Sequence, residues 1–202
     1  YNALGAETGR MSSNDPNIQQ MHPNVRPYIV PDSDEFYFAT CDFSQVERRL
    51  MGGLSGEPAI NERFIIDKEA DSHKQTYASM YNFPYEQVTG ERRAIGKTLN
   101  FATAYGIAKQ GLALQLYNNS DEMHQAMAQD LLDTYNRSVP VYRKFIAGIE
   151  KRAKETYYAE TYFGRRRHIK EFDPKYYIPT SKIARESSGE RAAGNMVVQG
   201  TA

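Results

Sequence analysis

The stretch GERRAIGKTLNFATAYG, residues 90–106, carries the signals of a single helix. Thr89 stands in front of it as a typical N-cap residue, and Gly106 is typical of a helix C-terminus. Side chains spaced by four residues share one broad face of a helix. The spacing therefore predicts a helix over residues 90–105 whose face carries two cations followed by two aromatic rings: Arg93, Lys97, Phe101 and Tyr105.

This face could bind a nucleotide, because ammonium and guanidinium groups suit phosphate oxygens and aromatic rings stack on a sugar or base. The alternative is an amphipathic helix that buries Phe101 and Tyr105 while the aliphatic stems of the cations lie along the surface. The pattern alone leaves both interpretations open.

Asp42 follows an apolar, β-prone run, residues 36–41, at the point where a strand would end. A hard cation such as Mg²⁺ binds one or two carboxylates together with phosphate oxygens, so Asp42 is a candidate metal ligand. The alternative is a turn aspartate that caps the next helix. Ser44 and Glu47 have the spacing of a capping box, which predicts a helix that begins at Ser44.

The remaining pattern predicts an α+β fold that is mainly helical. Residues 28–30 and 35–42 are β-prone and flank PDSD at 31–34, a hairpin signature. A second hairpin is predicted around Gly164, from residues 161–163 and 167–169. Further helices are predicted within residues 58–83, with a start signal at Asp71 and Ser72, over 121–135 and 141–157, and from Ser181 to the end of the sequence.

Charge is balanced overall but unevenly distributed. The 202 residues carry 25 Lys and Arg against 25 Asp and Glu, which excludes a uniformly basic nucleic-acid wrapper. Residues 1–72 hold twelve acids and six bases, whereas residues 143–170 hold nine bases and three acids. This fits an acidic metal site and a separate phosphate-facing surface, or simply two differently solvated faces. The basic turn at residues 165–168 could likewise clamp a nucleic-acid backbone or be solvated.

Several classes of site are excluded by residue content. The single cysteine, Cys41, rules out an intramolecular disulfide and a thiolate metal cluster, and its apolar neighbours predict a buried, inert thiol. The four histidines have no zinc-site spacing. The sequence has no run of eighteen apolar residues, so we expect an intracellular, cytoplasmic protein that does not enter a membrane.

Two segments resemble motifs of the family A DNA polymerases, the bacterial DNA polymerase I type. DFSQVERR at 42–49 resembles motif A, usually DYSQIELR, and the helix at 93–106 resembles motif B of the fingers, with Asn100 also matching. Similar segments in the expected order are TGRMSS at 8–13, DPNIQ at 15–19, DSH at 71–73, FGRRR at 163–167, ER at 190–191, and Asn195 with QGTA at 199–202. Arg48 departs from the family by replacing a common Leu.

The resemblance implies a role for each matching residue. Asp42, with the main-chain carbonyl of Phe43, would hold two Mg²⁺ ions, and Glu47 would exclude the ribose 2′-hydroxyl. The nucleotide would be bound by His73, Arg93, Lys97, Phe101 and Tyr105, with Lys97 also acting in catalysis. Contacts to DNA near the primer terminus would come from Arg10, Asn17, Gln19, Arg191, Asn195 and Gln199.

The implied activity is template-directed transfer of a deoxynucleotide from a dNTP to a primer 3′-hydroxyl by two-metal phosphoryl transfer. Implied partners are primer-template DNA, dNTPs, and a polymerase segment that carries the thumb and motif C. The fold would be a polymerase palm with a partial antiparallel sheet and helical fingers: residues 1–60 the first palm portion, 61–180 the fingers, and 181–202 a return helix into the palm.

The second metal-binding Asp of motif C does not occur in the 202 residues, so we expect this chain alone to be inactive or nearly so. The sequence would then be a truncated or naturally split polymerase. The alternatives are a non-catalytic DNA-binding remnant, a relative of the single-subunit RNA polymerases, or a structural protein that binds no nucleic acid. Glu47 and the TGRMSS segment argue against the RNA polymerase.

Overall fold

A computed structural model describes residues 2–3, 5–17, 21–39, 41–104 and 106–202. The chain divides into two compact units, residues 1–44 and Gln45–Ala202. The mainly helical α+β fold predicted from the sequence is confirmed.

The described part of the first unit contains little regular structure. A short 3-10 helix spans Arg26–Tyr28, and an isolated antiparallel bridge joins Asn2 to Ser12. The predicted hairpin of residues 28–30 and 35–42 is wrong for the described residues, with Thr40 outside them. A strand needs a ladder of backbone partners, and the hydrogen bond here is local, from the Phe36 N–H to the Ser33 carbonyl (3.2 Å).

The thiol of Cys41 is exposed, so the prediction of a buried cysteine is also wrong. Apolar neighbours in the sequence bury a residue only when its own segment packs into a core. Here the flanking aromatic residues Tyr37, Phe38 and Phe43 are themselves exposed.

In its described residues the second unit contains eight helices and one two-stranded sheet. The helices are α1 Val46–Ser55, α2 Pro58–Ile66, α3 Ser72–Tyr81, α4 Gly90–Ala104, α5 Lys109–Tyr117, α6 Glu122–Ser138, α7 Pro140–Thr156 and α8 Lys182–Gln199. A 3-10 turn, Tyr85–Gln87, lies between α3 and α4. None of the described helices is both long and apolar enough to cross a membrane.

Three predicted helix starts are confirmed by their caps. The side chains of Asp71, Asp121 and Ser181 accept hydrogen bonds from main-chain N–H groups of the first turns of α3, α6 and α8. Such caps satisfy donors that have no partner within the helix. The Thr89 hydroxyl does the same for α4, where it accepts from the Arg92 N–H.

The helix start predicted at Ser44 is wrong, because α1 begins at Val46, two residues later, with Gln45 at the N-cap in a left-handed conformation (φ 53°). The Gln45 side chain bonds elsewhere. Its Nε2 donates to the Ala70 carbonyl (3.0 Å) and its Oε1 accepts from the Ser72 N–H (2.9 Å). These contacts tie the start of α1 to the start of α3.

The last helix does not run to the end of the sequence as predicted. Helix α8 ends at Gln199, and the Gly200 N–H bonds the Met196 carbonyl. The Thr201 N–H bonds the Val198 carbonyl three residues earlier, which is the tighter 3-10 spacing, and the Ala202 N–H bonds the same carbonyl at ordinary α-helical spacing.

A hairpin around Gly164 is confirmed, but the predicted first strand at residues 161–163 is wrong, since these residues lie between the two strands. Strands β1 Tyr158–Glu160 and β2 Arg166–His168 pair antiparallel, with Tyr158 opposite His168. The first strand begins three residues earlier than predicted, and Gly164 in the turn has a positive φ of 82°, which glycine adopts without strain.

Two apolar clusters form the core of the second unit. The larger joins side chains from α1 through α8, among them Ile60, Leu99, Leu112 and Tyr135. The smaller joins α7, α8 and the hairpin around Ile169 and Met196. Helices α3 and α4 pack along each other. This pairing positions the candidate site.

Candidate functional site

The predicted stripe on α4 is partly exposed. Arg93 is half-buried, Lys97 is exposed, and Phe101 is 43% exposed, while Tyr105 lies outside the described residues. The opposite face of the helix is buried through Leu99, Asn100 and Ala102. The alternative in which α4 buries the Phe101 ring is therefore wrong for that residue. A cation-and-ring face is available to a ligand.

Gly96 lets α4 approach α3 very closely. A Cβ at position 96 would overlap the carbonyl oxygen of His73, which is backbone and unable to move aside. Because Gly96 is adjacent to Lys97, this close approach places His73 beside the stripe. The His73 and Phe101 rings lie 5.9 Å apart, centroid to centroid, at an angle of 41°.

Asp71, the N-cap of α3, holds Arg93. Its Oδ2 accepts from the Arg93 Nε–H at 2.5 Å, while its Oδ1 accepts from the amides of His73 and Lys74. Burial raises the pKa of Asp71, but the Arg93 hydrogen bond and the two amides outweigh it and leave that pKa below its usual range. The guanidinium of Arg93 is thus oriented by a carboxylate that stays ionised.

The tautomer of His73 follows from its contact with Asn100. The Asn100 Nδ2 lies 3.0 Å from the His73 Nδ1 and 3.4 Å from the Ser72 carbonyl oxygen. An amide NH₂ only donates, so Nδ1 of His73 accepts and a neutral ring carries its proton on Nε2. The Ser72 carbonyl supports this orientation of the Asn100 amide, because its oxygen would repel the amide oxygen if the amide were reversed.

His73 is held in its neutral form by its surroundings. Burial is the largest cause that lowers the pKa of His73 below its ordinary value. The Asp71 carboxylate opposes the shift, and the positive charges of Arg93 and Lys97 add to it. At neutral pH the site therefore presents two cations and a neutral N–H donor.

Glu47 lies in the first turn of α1 and is half-buried. Asp42 and Phe43 lie in the first unit, where both are exposed. A carboxylate and a main-chain carbonyl are hard oxygen donors that suit Mg²⁺. Among the described residues no group of three or more His, Cys, Asp or Glu is placed to hold a metal. Asp42 thus fits one ligand of a magnesium site, and the described residues do not complete a site for two ions.

Three predicted DNA-contacting residues, Arg191, Asn195 and Gln199, follow one another at steps of four along α8 and are all half-buried. Arg191 and Asn195 line a cavity of about 230 Å³ with the C-terminal end of α4. Gly106 permits this approach, since a Cβ there would overlap the Arg191 side chain. The structure thus brings the end of the stripe helix to two of these residues.

The other predicted DNA contacts lie in the first unit. Arg10 and Asn17 are exposed, and Gln19 lies outside the described residues. In the second unit, the basic hairpin is partly engaged with acids: Arg166 pairs with Glu160 (2.5 Å) and His168 with Asp173 (2.9 Å). The hairpin is therefore not a purely cationic surface.

Three residues shape this region without having been predicted from the sequence to act in a site: Asp71, Gly96 and Asn100. A glycine and an asparagine inside a helix are weak signals of close packing and of a specific hydrogen bond, because both lower helix propensity. The pairing of Asp71 with Arg93 spans 22 positions, and no local pattern indicates it.

Comparison with known proteins agrees with this arrangement. The profile of the family described as DNA polymerase family A matches residues 1–202. The chain is 31% identical to DNA polymerase I of Mycobacterium bovis over 208 residues, which is 100% of this chain and 22% of that protein. It is 32% identical to the thermostable DNA polymerase I of Thermus aquaticus over 209 residues, 100% of this chain and 23% of that protein.

A solved structure is also similar: the POL domain of Pol1 from M. smegmatis in complex with DNA primer-template and dNTP. It superposes with a TM-score of 0.75 at 27% identity, over 99% of this chain and 34% of that chain. The chain spans about a fifth of the length of the curated relatives it matches. With its entire length matched by the family profile, the chain belongs to DNA polymerase family A.

Proposed function

We propose that the chain forms the nucleotide-binding part of a DNA-directed DNA polymerase, which transfers a deoxynucleotide from a dNTP to a primer 3′-hydroxyl. The observation that carries the proposal is the joint placement of His73, Arg93 and Phe101 by two helices in close contact. The palm portion at 1–60, the fingers at 61–180 and the return helix at 181–202 remain part of this proposal.

The nucleotide is bound through its charge and its rings. Arg93 and Lys97 bind the triphosphate, and Lys97 offsets the negative charge that develops on the leaving pyrophosphate. His73 donates from Nε2 to a phosphate oxygen. Its lowered pKa keeps the ring neutral near neutral pH, and the Asn100 amide at Nδ1 leaves the remaining proton on Nε2. Phe101 packs on the sugar and base, and Tyr105 stacks near the templating position.

Asp42 and the Phe43 carbonyl would hold Mg²⁺, which would stabilise charge on the attacking and leaving oxygens when bound. Two ions need a second carboxylate, which we propose comes from a polymerase segment outside these 202 residues. On this proposal the 202 residues alone extend a primer little or not at all. Glu47 excludes a ribose 2′-hydroxyl and so selects deoxynucleotides.

Primer-template DNA is the proposed partner of Arg10, Asn17, Gln19, Arg191, Asn195 and Gln199. The M. smegmatis structure supports this proposal, since that protein was solved with primer-template and dNTP. Acceptors in the minor groove are similar among base pairs, so such contacts sense correct pairing without reading sequence. A cytoplasmic location remains a prediction of the same proposal.

Primer extension by the complete polymerase tests the proposal. We expect Asp42→Ala to abolish extension with DNA binding nearly intact, and Lys97→Ala to lower turnover by about a hundredfold, the range for loss of one charge-stabilising group. Primer-template binding that ignores both dNTP and Asp42→Ala would instead favour the non-catalytic remnant. Equal use of ribo- and deoxynucleotides would favour a relative of the RNA polymerases.

A further inference from the structure

Arg48 occupies a buried position from which a continuous hydrogen-bonded path leads to His73. Arg48 is 7% exposed, and its Nη2 donates to the Thr76 hydroxyl at 3.1 Å. The Thr76 hydroxyl lies 2.8 Å from Asn100 Oδ1, and the Asn100 Nδ2 lies 3.0 Å from His73 Nδ1. Four side chains on α1, α3 and α4 are thereby linked within the interior.

The other end of Arg48 is anchored on α6. Its Nη1 donates to the Tyr135 hydroxyl at 2.9 Å, and the Tyr135 side chain is fully buried. Both partners of the guanidinium are neutral hydroxyls. Its fork geometry lets one side chain hold both at fixed positions, which a lysine ammonium does less well.

We propose that Arg48 is a positioning residue for His73, and that through Thr76 and Asn100 it keeps the imidazole neutral with its proton on Nε2. The inference rests on the proposed function, in which that N–H donates to the triphosphate.

The order of donors and acceptors along this path determines how the Thr76 hydroxyl and the Asn100 amide are oriented. The Thr76 hydroxyl has one proton and two acceptors within reach, Asn100 Oδ1 at 2.8 Å and the Ser72 carbonyl oxygen at 2.9 Å. By donating to Thr76, Arg48 fills one of the two acceptor positions of that hydroxyl, which disfavours an Asn100 NH₂ group that would donate to it. The amide of Asn100 is then fixed with its NH₂ group toward His73. Without Arg48, both acceptor positions of Thr76 are open to a reversed Asn100 amide, which would present its oxygen to Nδ1.

The positive charge of Arg48 also favours the neutral form of His73. The groups that face His73 are Asp71 on its own helix, Arg93 and Lys97 on α4, and Arg48 on α1. The charge of Arg48 adds to the lowering of the His73 pKa. A leucine at position 48, which is common in the resembling motif, offers neither the charge nor the donor.

The test uses the complete polymerase with ¹³C- and ¹⁵N-labelled histidine and reads the ring nitrogens of His73 by NMR, with the signal assigned by its loss in His73→Gln. The wild-type protein should show the Nε2–H form at neutral pH. In Arg48→Leu and Thr76→Val, we expect Nδ1–H character to appear and the titration midpoint of His73 to rise. Arg48→Lys, which keeps the charge but loses the fork, should change the tautomer more than the midpoint.

Thr103→Val is the matched control for Thr76→Val, because the Thr103 hydroxyl on α4 donates to the Leu99 carbonyl and is not part of the path to His73. Its His73 signals should remain those of the wild type. If Arg48→Leu fails to fold, Thr76→Val decides the question. Unchanged His73 signals in the folded variants, or equal changes in Thr103→Val, would overturn the inference.

Titration with dATP and Mg²⁺ separates this inference from the proposed function. We expect Arg48→Leu and Thr76→Val to weaken dATP binding about tenfold, which corresponds to one displaced hydrogen bond. Altered His73 signals with unaltered dATP affinity would overturn the positioning role. Failure of the wild-type protein to bind dATP would instead overturn the proposed function, whatever the state of His73.

Discussion

Gly96 lies against the main-chain carbonyl of His73 at a distance that admits no side chain. Helix α4 is buried on this side and presents Lys97, the next residue, on its exposed side. The contact therefore fixes the spacing between the histidine on α3 and the cations on α4. A single glycine thus sets the width of the candidate triphosphate site.

Gly96→Ala should destabilise the protein by about 1–3 kcal/mol, because the new methyl group has to push α4 away from backbone. The expected result is a lower midpoint of urea unfolding and weaker dNTP binding. Gly148→Ala is the matched control: Gly148 is exposed in α7 with open space where a methyl group would lie, so alanine there should stabilise by about 0.5–1 kcal/mol. Equal effects at the two sites would show that the contact is unimportant.

Glu57 joins two helix starts that are far apart in the sequence. Its side chain is 2% exposed; Oε1 accepts from the Ala59 N–H of α2, and Oε2 accepts from the Val141 and Tyr142 N–H groups of α7. One carboxylate therefore satisfies three amide donors in the interior.

Glu57→Gln should lower the free energy of unfolding by about 1–3 kcal/mol, because a glutamine turns an NH₂ group toward buried donors on one side. Chemical denaturation measures this change. Glu62→Gln on the same helix is exposed and should stay within about 0.5 kcal/mol of the wild type. A comparable loss from both variants would contradict the role of Glu57.

Features set by neighbours in the sequence could be predicted from it. The caps Asp71, Asp121 and Ser181 act within four residues, so their helices begin where local pattern places them. The spacing of Arg93, Lys97 and Phe101 likewise predicted one helix face. Such contacts need no knowledge of the remaining fold.

Features set by distant partners could not be predicted. The Glu57 and Arg48 hydrogen bonds span 84 and 87 positions, to Val141 and Tyr135 respectively. At Ser44 a local rule predicted the wrong helix start, because Gln45 bonds Ala70 and Ser72, 25 and 27 positions away. The β-prone run before Asp42 failed for the same reason, since a strand exists only where another segment pairs with it.

Glu47→Ala tests the proposed selection against ribonucleotides. Removal of the side chain should reduce the ratio of kcat/KM for dNTP over rNTP by roughly ten- to a hundredfold, because space opens for a 2′-hydroxyl. Single-nucleotide insertion kinetics with the complete polymerase measure this ratio. Glu47→Gln keeps the bulk, so it should retain most of the selection. An unchanged ratio in the alanine variant would remove Glu47 from this role.

The ion pair between Asp71 and Arg93 should make stability depend on acid pH. The folded pKa of Asp71 lies below its ordinary value of 3.8. The contribution of the ionised Asp71 to the free energy of unfolding is therefore complete at pH values above 3.8. It is lost as the pH falls through the folded pKa, because the unfolded chain binds the proton more readily.

A double-mutant cycle isolates this contribution. Asp71→Asn keeps a capping oxygen and removes the charge, and Arg93→Gln removes the other partner. With both side chains partly exposed, the coupling near neutral pH should be about 0.5–1 kcal/mol and should vanish once Asp71 is protonated. Urea unfolding at several pH values measures it. A coupling that persisted unchanged at acid pH would mean that the hydrogen bond is insensitive to the charge of Asp71.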